Sequence, residues 1–180
     1  MLHHGSEGDD NDAAMTERGG RKIGSPHDER QALLDRYASG AGAVDEALAG
    51  ILDEDLDRRP PSGEWTAREI VHHLADSESM AYIRLRRLVA EDDPLIHGYD
   101  EPEWARRLHY GRPIEPSLAV LRAVRASSHQ LLTSLTTDEW ARTGTHSEGG
   151  AYTVGRWLGI YAEHGHEHAD QIRRARRGED

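Results

Sequence analysis

The chain has 180 residues, no cysteine, and 22 basic against 33 acidic residues, a formal net charge of −11. The length fits one domain with room for a core, and the charge argues against nucleic acid or anionic lipid as a partner. The missing cysteines exclude disulfides, zinc–thiolate sites and a cysteine nucleophile, and no stretch reaches the ~20 apolar residues of a membrane span.

The N-terminus is polar and acidic, not basic and then apolar. No secretory signal is expected, and the cytoplasm is the expected location. Residues 1–27 are mostly Gly, Asp, Ser and charge and are expected to form a disordered tail, with residues 28–180 as the folded domain.

The first helix is expected to begin at Asp28, with Gln31 three residues on as a capping partner. Leu34, Tyr37, Ala41, Val44, Leu48 and Ile51 recur by threes and fours, which makes a stripe facing a helix bundle. Gly40 and Gly42 weaken that helix locally. Asp53 to Pro61 breaks the pattern.

The second helix has a clear start, because Thr66 and Glu69 make a capping box and Trp65 precedes it. Ile70, Leu74, Ala81, Leu85 and Leu88 give its core side, and it stops before Asp92-Asp93-Pro94. His73 falls on or beside that stripe. His72 is turned by about a hundred degrees, so one of the two should face the core and the other lean outward.

A long connection follows, roughly from Glu91 to Glu115, carrying Tyr99, Trp104 and Tyr110. Connections of this length often serve as lids or substrate walls. A short helix is expected near Glu101 to Leu108. The third long helix should run from Pro116 to Leu135, with Leu121, Val124 or Arg125, Ser128 and Leu132 on one side. Thr137 is placed as the cap of a short turn, and Gly144 to Gly150 reads as a loop. The last helix runs from Thr153 to about Arg177, with Gly178 ending it. The basic group Arg173, Arg174, Arg176 and Arg177 suits that helix C-terminus. Four long amphipathic helices and no convincing strand predict an all-α four-helix bundle with a long connection between helices 2 and 3.

Chemistry concentrates in Glu163-His164-Gly165-His166-Glu167-His168. His164 and His168 are four apart, so they share one helix face with Trp157, Tyr161 and Ile172. Bundles build metal sites from inward side chains of facing helices, and His73 on the second helix offers a third imidazole. Three neutral imidazoles with one open position is the pattern of a catalytic zinc site. From spacing alone, ordinary core or surface histidines satisfied by hydrogen bonds remain an equal reading.

The segments Glu64-Trp65-Thr66-Ala67-Arg68-Glu69, His72-His73-Leu74-Ala75-Asp76-Ser77-Glu78, Tyr99-Asp100-Glu101 with Trp104, and Tyr161 to His168 occur in that order. Together they resemble the DinB superfamily, in particular its YfiT-like branch of metal-dependent hydrolases. The resemblance covers residues 28 to 176. It implies a four-helix bundle holding one divalent metal through His73, His164 and His168, with His72 and His166 as neighbours only. It also implies a homodimer, and, for parts of the family, transfer of bacterial thiols of the bacillithiol type.

Asp76, one turn after His73, is a candidate to orient a ligand imidazole; an ion pair on the helix surface is the alternative. Arg84 lies on nearly the same face and could hold an anionic substrate group or an internal ion pair. Tyr99 and Trp104 are read as packing for the long connection or as walls of a substrate pocket. Zinc and nickel suit imidazole ligands.

Two mechanisms fit an open three-histidine site: hydrolysis through ionised water, or S-transfer from an external low-molecular-weight thiol to an electrophile. His164 to His168 also spells H-x-x-E-H, a metallopeptidase pattern with Glu167 as base. A non-catalytic bundle binding a metal or small ligand is the alternative from another class. The expected partner is a small-molecule substrate.

Overall fold

The computed structural model describes residues 26–180. The expected tail lies outside the described residues up to position 25, and Pro26 and His27 already belong to the first helix. In order the elements are α1 (Pro26–Leu48), α2 (Asp53–Leu56), α3 (Ala67–Ala90), β1 (Leu95–Ile96), α4 (Glu101–Arg107), α5 (Glu115–Ser134), α6 (Thr137–Trp140), β2 (Thr143–His146), β3 (Gly150–Thr153) and α7 (Val154–Ala175).

The four long helices close a ring, with α1 on α7, α7 on α3, α3 on α5 and α5 on α1. Their starts and stops follow the local chemistry. At α3, Thr66 Oγ1 accepts from the Glu69 amide at 3.3 Å, and Glu69 Oε2 accepts from the Thr66 amide at 2.9 Å. Two amides that the helix itself leaves unpaired are thereby satisfied. Thr153 caps α7 by accepting from the Arg156 amide at 3.0 Å. Gly178, at φ +69°, reverses the chain after that helix, a conformation that costs glycine nothing.

Three expectations need correction. The first helix begins at Pro26, not Asp28, and Gln31 donates to Asp35 at 2.8 Å along the helix surface instead of closing a box. The short α6 is capped by Thr136, whose hydroxyl accepts from the Glu139 amide at 3.3 Å, not by Thr137. The third is the sheet. The stretch read as a loop forms the β2–β3 hairpin, with Gly144 opposite Tyr152, and β1 from the long connection adds in parallel, Leu95 opposite Thr145. Strands of two and four residues carry too little alternation to register as a pattern.

The core has two apolar parts. One gathers Leu34, Tyr37, Leu85, Leu132 and Trp157; the other gathers Val44, Ile70, Leu74, Leu121 and Ile172. Between them every long helix places something polar or small. α1 contributes Gly40, α3 Glu78, α5 Arg125 and Ser128, and α7 His164, Gly165 and His168. This level of the bundle is where the site sits.

Candidate metal centre

One nitrogen from each of His73, His164 and His168 lies within 4.8 Å of the other two. Ring centroids are 4.6 Å apart for His164 and His168, 4.9 Å for His73 and His168, and 5.5 Å for His73 and His164. The helical register of α7 brings the first pair onto one face, and the capped start of α3 fixes the third ring opposite them. Trp65, next to the cap, packs against the His73 ring at 4.6 Å and closes its outer side.

The three rings are candidate ligands of one ion. Burial, then the neighbouring His168 and His164, pushes His73 down to about 3. Burial, then His164, pushes His168 down to about 4, although Gln171 pulls the other way. His168 Nδ1 lies 2.8 Å from Gln171 Oε1. An amide oxygen only accepts, so Nδ1 carries the proton and the Nε2 lone pair is left for the centre. His73 makes no hydrogen bond, and His164 Nδ1 is buried without a partner. Buried polar atoms are rarely left unpaired, and three convergent imidazoles are a donor set that suits a divalent cation.

His72 departs from expectation. Neither histidine of the pair leans outward: His72 is fully buried and His73 nearly so. The first turn of α5 and the chain just before it cover His72, placing Ser117 Oγ 2.8 Å from Nδ1 and the Arg112 carbonyl 2.9 Å from Nε2. Both its nitrogens are therefore satisfied. His166 faces α1, with Ser39 Oγ at 3.2 Å and the Arg36 carbonyl at 3.0 Å.

Asp76 also departs from expectation. Its Oδ2 accepts the Tyr110 hydroxyl at 2.7 Å, and no hydrogen bond joins it to His73. The carboxylate near the centre is Glu78, with Oε1 3.6 Å from His164 Nδ1. Glu167, the base of the H-x-x-E-H reading, is exposed and lies outside the three-histidine cluster.

A cleft of about 370 Å³ opens beside His164. Arg84 and Tyr99 line it, as do His146, Tyr152 and Arg156, which the unforeseen hairpin and the start of α7 supply. Arg84 donates to the Tyr161 hydroxyl at 3.0 Å and to the His97 carbonyl at 2.7 Å, and its Nε is buried without a partner. Tyr99 also has a buried, unpartnered hydroxyl. Burial raises its pKa, so at neutral pH it is a proton-bearing donor. Trp104 stands behind the cleft, 4.5 Å from the Tyr99 ring, and supports the wall without lining it.

Residues 36–172 match the DinB superfamily. The chain belongs to this superfamily. A relative from Oceanobacillus iheyensis, named "putative metal-dependent hydrolase", is 43% identical over 120 residues, 67% of this chain and 70% of that protein. A Halalkalibacterium halodurans protein of the same name is 32% identical over 130 residues, 72% of this chain and 76% of that one. YfiT from Bacillus subtilis, described as "a probable metal-dependent hydrolase with an unusual four-helix bundle topology", superposes with a TM-score of 0.78 at 28% identity. That match covers 91% of this chain and 94% of YfiT. In this DinB-superfamily chain, too, no described helix is long and apolar enough to cross a membrane.

Proposed function

We propose that this DinB-superfamily chain is a metal-dependent hydrolase of small polar substrates, with His73, His164 and His168 as the ligands of one divalent ion. The convergence of three imidazoles, one of which lines a cleft, carries the reading. The ion, when bound, supplies Lewis-acid chemistry, lowering the pKa of water and polarising a carbonyl or phosphoryl oxygen.

The chain's own residues do the rest. Gln171 holds the His168 tautomer. Tyr99 presents its hydroxyl proton to a substrate oxygen that gains negative charge during the reaction. Arg84, with both terminal nitrogens anchored, keeps a cation fixed at the cleft wall and orients an anionic substrate group. Trp65 and the buried apolar residues below exclude water from the rear of the centre.

One observation favours a second reading, S-transfer from an external thiol. Arg84, Arg156, Glu101 and Glu148 all line the cleft, and no ion pair joins any two of them. Unpaired charges of both signs suit a ligand carrying both an amine and a carboxylate, as amino-acid-derived thiols do. The imidazole centre then serves to ionise the thiol.

A chelator-controlled screen tests both. Chromogenic esters and amides are offered alone, and chromogenic electrophiles are offered with cysteine-derived thiols. Hydrolysis that disappears with chelator, returns with zinc or nickel, and is absent in His168→Ala supports the first reading. Conjugation with the same pattern replaces it by the second. Turnover indifferent to chelator sinks both.

A further inference from the structure

Glu78 and Arg125 form an ion pair that the bundle buries almost completely, at 0% and 2% side-chain exposure. Arg125 Nη1 donates to Glu78 Oε1, and Nη2 donates to the Tyr37 carbonyl at 2.5 Å. The guanidinium also reaches the Tyr161 carbonyl at 3.3 Å and lies over the Tyr37 ring, 4.1 Å from its centroid. The Tyr37 hydroxyl donates to the other oxygen, Glu78 Oε2, at 3.4 Å. Gly40 makes room for the arrangement, since a Cβ there would overlap the guanidinium.

Such a pair is a poor way to stabilise a core. Two charges lose their hydration, and apolar replacements often serve as well. What the pair does achieve is to fix the carboxylate at both oxygens: the Tyr37 hydroxyl engages Oε2, and Arg125 engages Oε1. That oxygen is 3.6 Å from His164 Nδ1, the buried nitrogen that has no partner. A hydrogen bond needs the gap to close by a few tenths of an ångström, within the adjustment of an imidazole about its χ angles. Catalytic hydrogen bonds are commonly long before the site is loaded.

We infer that Glu78, clamped by Arg125 and Tyr37, is the positioning residue for His164: it accepts the Nδ1 proton and so presents Nε2 to the centre. His164 and His168 then use the same tautomer, one fixed by a carboxylate and the other by the Gln171 amide. The inference rests on the proposed reading of the three histidines as ligands. It goes further in assigning a role to a polar pair that the cleft and the chemistry leave unexplained.

Two measurements test it. In the 15N-labelled metal-free protein at pH 8, long-range proton–nitrogen correlations read which nitrogen of each ring carries hydrogen. The His164 proton is expected on Nδ1, moving wholly or partly to Nε2 in Glu78→Gln, whose amide can donate back to the ring. A wild-type His164 protonated on Nε2 overturns the inference, and this arm needs no variant to fold. The second arm is zinc affinity by competition with a chromophoric chelator. Glu78→Gln is expected to bind about 10–100-fold more weakly. His72→Ala, which removes a ring engaged by Ser117 and the Arg112 carbonyl, should bind as wild type does. Equal affinity in Glu78→Gln and wild type also overturns the inference. A wild-type protein that binds neither zinc nor nickel instead defeats the metal reading, and the tautomer of His164 still decides the role of Glu78.

Discussion

Two adjacent imidazoles on α3, His72 and His73, are both buried, yet the regions they enter are opposite in kind. His72 enters a closed polar niche, where Ser117 and the Arg112 carbonyl engage both ring nitrogens. His73 enters the polar level of the bundle, makes no hydrogen bond, and faces two more histidines. Burial therefore does not distinguish a structural histidine from a functional one. The partners of the ring nitrogens do: both are engaged in His72, while His73 has none among the described residues and meets two more imidazoles.

The largest effect that contrast predicts is on metal binding. His168→Ala removes one of three candidate ligands and should weaken zinc affinity by more than the ~10–100-fold typical of losing a supporting residue. The metal-free fold should lose less than it does in His72→Ala, because His168 gives it one bond to Gln171 and ring contacts with the two other candidate ligands. Chelator competition and thermal melts of the metal-free protein read the two quantities separately. A collapse of the melt with unchanged affinity reverses the assignment.

His72→Ala should behave the other way. It strands the Ser117 hydroxyl and the Arg112 carbonyl and leaves a cavity, for a loss of about 2–4 kcal/mol in urea unfolding. Zinc affinity should stay within a few-fold. If His72→Ala abolishes metal binding, the division of α3 into a structural and a functional side is wrong.

The same division is visible in how the sequence could be read. The three candidate ligands were legible because i, i+4 spacing and the α3 stripe are properties of a single helix. Their supports were not. Glu78 is five residues after His73, about 140° round the helix, so no local rule links the two. It reaches His164 only because α7 packs against α3. A signal did exist in Arg125, a charged residue at a stripe position, since a buried guanidinium requires a buried carboxylate. The β2–β3 hairpin was illegible for another reason. Its four-residue strands are held by pairing with each other and with β1, not by any periodic face. With it went His146, Tyr152 and about a third of the cleft wall.

A pH titration sharpens the comparison further. The folded values, about 3 for His73 and about 4 for His168, lie below the ~6.5 of an unfolded histidine. Between those limits the unfolded chain takes up protons that the folded chain refuses. Stability is complete above pH 6.5 and is lost as the pH falls toward 3–4. The slope is at most about 1.4 kcal/mol per pH unit for each ring. His168 helps to depress His73, so their contributions do not simply add. Urea unfolding of the metal-free protein between pH 5 and 6.5, where surface carboxylates stay ionised, should show the slope, and His168→Ala should reduce it. A flat profile there means the centre is already open to water or protonated.

The smallest effect belongs to Asp76, which lies one turn beyond His73 and on sequence grounds is a candidate to orient it, with a surface ion pair as the alternative. The structure gives its carboxylate to the Tyr110 hydroxyl, on the His72 side of the helix, where the Tyr110 ring also packs 5.4 Å from His72. Asp76→Asn keeps an oxygen able to accept that hydroxyl and removes only the charge. Stability should fall by about 1 kcal/mol or less, the scale of exchanging a charged acceptor for a neutral one. Zinc affinity should shift by less than the ~10-fold that marks a residue supporting a ligand. A larger loss of affinity means that Asp76 turns toward His73 once the centre is loaded, and the boundary between the two sides of α3 then moves with the metal.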